Sequence, residues 1–203
     1  MTPRLMKLSV LAVAMTTASA CVSVLPAPDT PRALLRIEAA SVRPQLSASL
    51  IVREPEAPQM VAGRALVSRD ASGANRLMPS VEWSGRATRQ MQLALVDSFS
   101  VDGAGAALLP ETGIAARLAL TTRIQSLELH GDEAVCRVSV AVHDLLAQTG
   151  YFRQTEIAAR QLASDGSTRA RADALKLAGE QCVREMADFA AEAVAGAVET
   201  PAD

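Results

Sequence analysis

The chain predicts an α/β domain, a mixed sheet with a long antiparallel meander flanked by helices, and three observations carry that prediction. Residues 118–142 alternate apolar and polar in steps of two on both sides of a turn. Residues 87–98 and the stretch after Ser167 carry apolar residues at helical spacing instead. A length of 203 residues and a hydrophobic content of 49% suit one domain with a real core.

Taken in order, the mature domain begins with short strands at Leu34-Leu35-Arg36-Ile37 and Leu50-Ile51-Val52, before Pro55 and Pro58 break the pattern. Ala65-Leu66-Val67 and Leu77 to Val81 form a hairpin around the turn-rich run Asp70 to Asn75. After Trp83, residues Ala87, Met91, Ala94, Leu95 and Ser98 predict a helix from about 85 to 99. Ser84 is its candidate N-cap, and Gly103 and Gly105 follow it.

In the meander Leu118, Leu120, Thr122 and Ile124 share a face, and the apolar phase then slips to Leu127 and Leu129, as a β-bulge produces. His130-Gly131-Asp132-Glu133 turns the chain into Cys136, Val138, Val140 and Val142, which pair back antiparallel. Thr149-Gly150 turns again into a third strand, Tyr151 to Leu162. Ser167 then caps a terminal helix of roughly 30 residues whose stripe is Leu175, Gly179, Cys182, Met186, Phe189 and Ala193.

The N-terminus has the three-part layout of an export signal: basic Arg4 and Lys7, apolar Leu8 to Met15, and small Ala18-Ser19-Ala20 before Cys21. The apolar run is far short of the roughly 20 residues that span a bilayer. Ala18-Ser19-Ala20-Cys21 resembles the lipobox of bacterial lipoproteins, which implies lipidation at Cys21; Ala18-x-Ala20 also suits an ordinary signal peptidase. Val22 after the cysteine favours outer-membrane sorting by the same resemblance. The expected organisation is a removed signal peptide over 1–20, a proline-containing stalk over 21–31 with Pro26, Pro28 and Pro31, the α/β domain over 32–198, and a tail over 199–203.

Composition excludes several classes. Removing Arg4 and Lys7 with the leader takes the net charge from -2 to -4 with no basic block, so the chain has no electrostatic footprint for nucleic acid. Five aromatics, Trp83, Phe99, Tyr151, Phe152 and Phe189, are too few for a stacking platform, and Trp83 reads as a core anchor. His130 and His143 stand in no spacing that recruits a nucleophile or a metal, Asp132-Glu133 lies in a turn, and no phosphate loop is present; no catalytic residue, metal site or cofactor is expected. With Cys21 assigned to lipid, Cys136 and Cys182 remain, each on the apolar face of its element. An oxidising compartment favours a disulfide between them, against the alternative of two buried thiols.

Ile51-Val52-Arg53-Glu54-Pro55, Ala65-Leu66-Val67-Ser68-Arg69-Asp70, Asn75-Arg76-Leu77, Val81-Glu82-Trp83-Ser84, Gln92-Leu93-Ala94-Leu95 and Leu120 to Glu128 together resemble the ABC-type transport auxiliary lipoproteins, over about 34–197. The resemblance implies a three-layer α/β domain at the outer membrane. Its implied partners are an MCE-domain protein, an inner-membrane permease and an ATPase, which together move phospholipid or sterol-like lipid across the envelope. It carries no transferable catalytic residue, and it is compatible with a homo-oligomer. A free-standing envelope lipoprotein that binds a small apolar ligand, or regulates another envelope assembly, is the other reading.

Overall fold

The computed structural model describes residues 33–146 and 152–199, within the compact unit Pro31–Asp203. The leader, the stalk, Cys21, the Thr149-Gly150 turn and the tail after Glu199 lie outside the described residues. The strands are β1 (Ala33–Leu35), β2 (Leu50–Val52), β3 (Ala65–Arg69), β4 (Asn75–Trp83), β5 (Ala107–Leu108), β6 (Leu118–His130), β7 (Glu133–Asp144) and β8 (Phe152–Leu162). The helices are α1 (Gln59–Ala62), α2 (Ala87–Asp97) and α3 (Thr168–Glu199), with a 3-10 turn at Pro110–Thr112.

All eight described strands form one mixed sheet built around β6. β7 pairs antiparallel with the whole of β6, and β8 with β7. The other edge of β6 is shared: β2 runs parallel to its first residues, Leu50 opposite Leu118, and β3 runs parallel to its last, Val67 opposite Glu128. β5 extends the sheet beyond β2, while β4 and then β1 extend it beyond β3. Pairings this distant in sequence leave no local pattern, which is why the meander and the β3–β4 hairpin were legible while β5 and the order of the remaining strands were not.

The phase slip in β6 is a bulge. Ile124 pairs with Val138 and Ser126 with Arg137, so Gln125 is the extra residue and Leu127 returns to the face that Ile124 occupies. The turn into β7 has two central residues, and Gly131 takes φ +62°, the left-handed value that a tight hairpin demands at its first position.

α3 crosses β6, β7 and β8 and buries Leu175, Cys182, Met186 and Ala193 against Leu120, Ile124, Leu127, Val138 and Val140. Phe189, the one aromatic residue of the stripe, sits at its rim with Arg153 5.8 Å above the ring. The Ser167 hydroxyl accepts the Ala170 N–H at 3.1 Å, satisfying a donor of the first turn. Small residues let the helix lie close to the sheet, and each large side chain withdrawn from water there contributes about 2 kcal/mol.

Three expectations are corrected. The resemblance implied three layers, but over the meander the described residues form two: Arg123, Gln125, Arg137, Glu156 and Arg160, on the face away from α3, are exposed. β1 stops at Leu35 because the Ile37 N–H turns to the Gln90 side-chain oxygen at 3.0 Å instead of a neighbouring strand. Ser84 does not cap α2: its own N–H is spent on the Leu35 carbonyl, the helix starts at Ala87, and the Ala87 N–H is taken by the Gly63 carbonyl at 2.9 Å. A backbone from a distant loop therefore does what a side-chain cap was expected to do. Trp83 is 1% exposed, a core anchor between β4 and α2.

Candidate functional site

Cys136 on β7 and Cys182 on α3 meet between sheet and helix, both fully buried, their Cα atoms 6.5 Å apart and their sulfurs adjacent. They meet because the alternation of β7 and the stripe of α3 aim both at one interface. Cys21 lies outside the described residues. Of the sequence-predicted site residues the structure thus brings Cys136 and Cys182 together.

The uncovered face of the meander holds a feature that the sequence reading missed. Residues 53–56, between β2 and α1, are tied along the edge of β6 through Arg53 N–H to the Leu120 carbonyl at 3.1 Å, Glu56 N–H to the Thr122 carbonyl at 2.9 Å, and Ile124 N–H to the Glu56 carbonyl at 2.8 Å. They form one wall of a groove of about 350 Å³ lined by Arg53, Glu56, Thr121, Arg123, Ser139 and Gln154. The signal was present in the sequence as the polar half of each alternating strand, but nothing local tells that residues 53–56 would wall it.

Polar groups in and beside the groove are held in place. Gln125 donates to Ser139 Oγ at 2.6 Å and to Glu156 Oε1 at 3.0 Å, bridging three strands. Glu54 accepts from Arg86 at 2.9 Å and from the Thr88 hydroxyl at 2.6 Å, which fastens the wall to α2. His143 is held below the usual imidazole range by burial first and by the Arg53 charge second, so it is neutral at neutral pH. His130 stands at the far end of β6, its Nε2 2.9 Å from Glu128 Oε1, and Arg69 approaches the same oxygen at 3.1 Å. That carboxylate is nearly buried and has both its cationic and imidazole neighbours in reach.

Among the described residues no group of three or more His, Cys, Asp or Glu stands where it could hold a metal ion. No described helix is long and apolar enough to cross a membrane.

A two-layer α/β domain with an exposed polar sheet face is the class these features define. A family model described as the ABC-type transport auxiliary lipoprotein component matches residues 11–187, and the chain belongs to that family. A crystal structure of a Xanthomonas campestris protein of family DUF330 superposes with a TM-score of 0.72 at 18% identity, covering 84% of this chain and 99% of its own. A second crystal structure, of an uncharacterised protein, gives 0.62 at 11% identity, covering 80% and 99%. At those identities the likeness shows the fold alone. Comparison with curated proteins finds no match.

Proposed function

We propose that this chain is a non-catalytic auxiliary lipoprotein of an MCE-type ABC transport system that moves phospholipid or sterol-like lipid across the cell envelope. Export removes residues 1–20, Cys21 carries the lipid, residues 21–31 are the stalk, and the α/β domain stands on the periplasmic side of the outer membrane. The observation that carries the reading is the family match, which begins inside the leader and runs through most of α3.

The geometry supports a docking role within it. The groove beside β6 carries arginine, glutamate, hydroxyl and amide groups, chemistry suited to a protein surface. Transport energy would come from the partner ATPase and the membrane path from the permease, leaving this domain to hold the MCE-domain protein near the outer membrane. In that oxidising compartment Cys136 and Cys182 form a disulfide. Replacing Cys21 with Ala tests the anchor: the wild-type chain incorporates labelled palmitate and fractionates with outer membrane, and the variant does neither. An unlabelled wild-type chain would remove the anchor from this account.

A further inference from the structure

The groove beside β6 is richer in side-chain donors than in acceptors. Arg53 and Arg123 line it, both exposed, and neither guanidinium is paired with a carboxylate among the described residues. The Thr121 hydroxyl and the Gln154 amide make no side-chain hydrogen bond to a described residue. Ser139 Oγ accepts from Gln125 at 2.6 Å, so its own proton stays available to the groove. Of the two carboxylates on the wall, Glu54 is spent on Arg86 at 2.9 Å and on the Thr88 hydroxyl at 2.6 Å. Glu56 is left, held beside Arg123 by backbone pairing. Two cations and three neutral donors thus face one carboxylate, in a chain whose net charge is -2.

Sheet register places these groups together. Val52 pairs with Leu120, so Arg53 stands at the level of Thr121, and Arg123 follows two residues on, opposite Ser139. Thr121 pairs with Ala141 and Ala141 with Gln154, so short side chains floor the space beside the arginines and the Gln154 amide closes the row. The backbone bonds that tie residues 53–56 to β6 fix the Arg53 main chain before any ligand arrives, so binding has side chains to order and no loop. A guanidinium gives a carboxylate two parallel N–H bonds. A carboxylate also brings a single negative charge past Glu56, where a phosphate monoester brings about two. The geometry points to an acidic segment of a partner protein as the occupant, with one aspartate or glutamate carboxylate held between Arg53 and Arg123 while Thr121, Ser139 and Gln154 donate around it. This rests on the reading of the groove as a docking face and adds the chemistry of what docks there.

The chain's two histidines locate the ligand. His143 is near enough to Arg53 to feel its charge, whereas His130 lies at the far end of β6 against Glu128. The mature lipidated chain in detergent, its histidines isotope-labelled, is titrated at fixed pH with a short capped peptide that alternates glutamate with serine. The imidazole signals of His143 shift and saturate, and those of His130 stay in place. Fluorescence anisotropy of the same peptide, dye-labelled, gives the affinity. A peptide with glutamine in place of glutamate binds about tenfold or more weakly, and Arg53→Gln or Arg123→Gln weakens the glutamate peptide to a similar degree. Arg137→Gln, on the same exposed face but outside the groove, binds it as the wild type does. Equal affinity for the two peptides, affinity indifferent to Arg53→Gln and Arg123→Gln, equal shifts at both histidines, or a response to inorganic phosphate or phosphatidylglycerol vesicles with none to the peptide would each overturn the inference. Any of these, with an MCE-domain protein still recovered from cells, removes the acidic ligand and leaves the transport reading. Groove-dependent peptide binding by a chain that recovers no such protein supports the acidic ligand and tells against that reading.

Discussion

Gly105 sits so close to Ala48 that a β-carbon on it would lie 2.0 Å from the Ala48 carbonyl carbon. The two segments run together, with the Gly105 N–H on the Leu46 carbonyl at 2.9 Å and the Ser100 N–H on the Pro44 carbonyl at 3.0 Å, and they deliver the chain into β2 and β5. Backbone on the other side of the contact cannot rotate away as a side chain could. Gly105→Ala is expected to cost about 3 kcal/mol or more in a urea melt, against about 1 kcal/mol for Gly73→Ala, where the strain is only the φ of +84°. Equal losses at the two positions would contradict the close approach.

Gln92 links α2 to the sheet. Its Nε2 donates to the Val52 carbonyl at 2.9 Å and its Oε1 accepts from Arg89 at 2.6 Å, with the side chain 1% exposed. Gln92→Leu keeps the bulk and removes the donor, leaving the Val52 carbonyl dry and unpaired. A loss of about 1–3 kcal/mol is expected, and amide exchange along β2 should speed up more than exchange in β7.

Oxidation of Cys136 with Cys182 closes a loop with a sequence separation of 46. Intact mass of the chain purified without reductant should fall about 2 Da below that of the reduced chain. In the chain-entropy account the bond contributes about 4 kcal/mol, so Cys182→Ala should lower the midpoint of unfolding while reductant leaves the variant's midpoint where it is. A wild-type midpoint indifferent to reductant would show two packed thiols instead.

Two groups set the pH response. The Ser72 hydroxyl foremost, then Arg76 and the Ala74 N–H, hold the Asp70 carboxyl well below the usual range at the β3–β4 turn. A depressed carboxylate contributes stability that is present above its unfolded value near 4 and is lost as pH falls through the folded value. His143 is likewise lowered, by burial and then Arg53, and its contribution is present above about 6.5 and lost as pH falls through the folded value. Both predict lower stability toward acid. Protection of the Ala74 amide, corrected for the intrinsic pH dependence of exchange, should fall as pH drops below about 4 in the wild type, and Asp70→Asn should flatten that response. His143→Gln should remove a separate step below about pH 6.5 in the unfolding midpoint.

Where the chain's instructions are local, the fold was readable. The slip from Ile124 to Leu127 marks a bulge because strand alternation has a period of two, and Cys136 and Cys182 could be aimed at one interface because each lies on its element's apolar face. What could not be read depends on distant partners: the Gly63 carbonyl at the start of α2, the Gln90 side chain that ends β1, and the sharing of one edge of β6 by β2 and β3. The groove belongs to this second kind. Arg53 and Arg123 are 70 positions apart, and only the tertiary pairing of residues 53–56 with β6 brings them to one surface.

The transport role is tested most directly by what the chain holds in its own envelope. Cross-linking of intact cells that make the full-length, tagged chain, followed by purification from solubilised membranes and identification by mass spectrometry, should recover an MCE-domain protein together with its permease and ATPase. Recovery should fall at least about tenfold when Arg53 and Arg123 are both changed to Glu. Recovery of the chain without any MCE-domain protein, from cells in which that protein is present, would contradict the assignment.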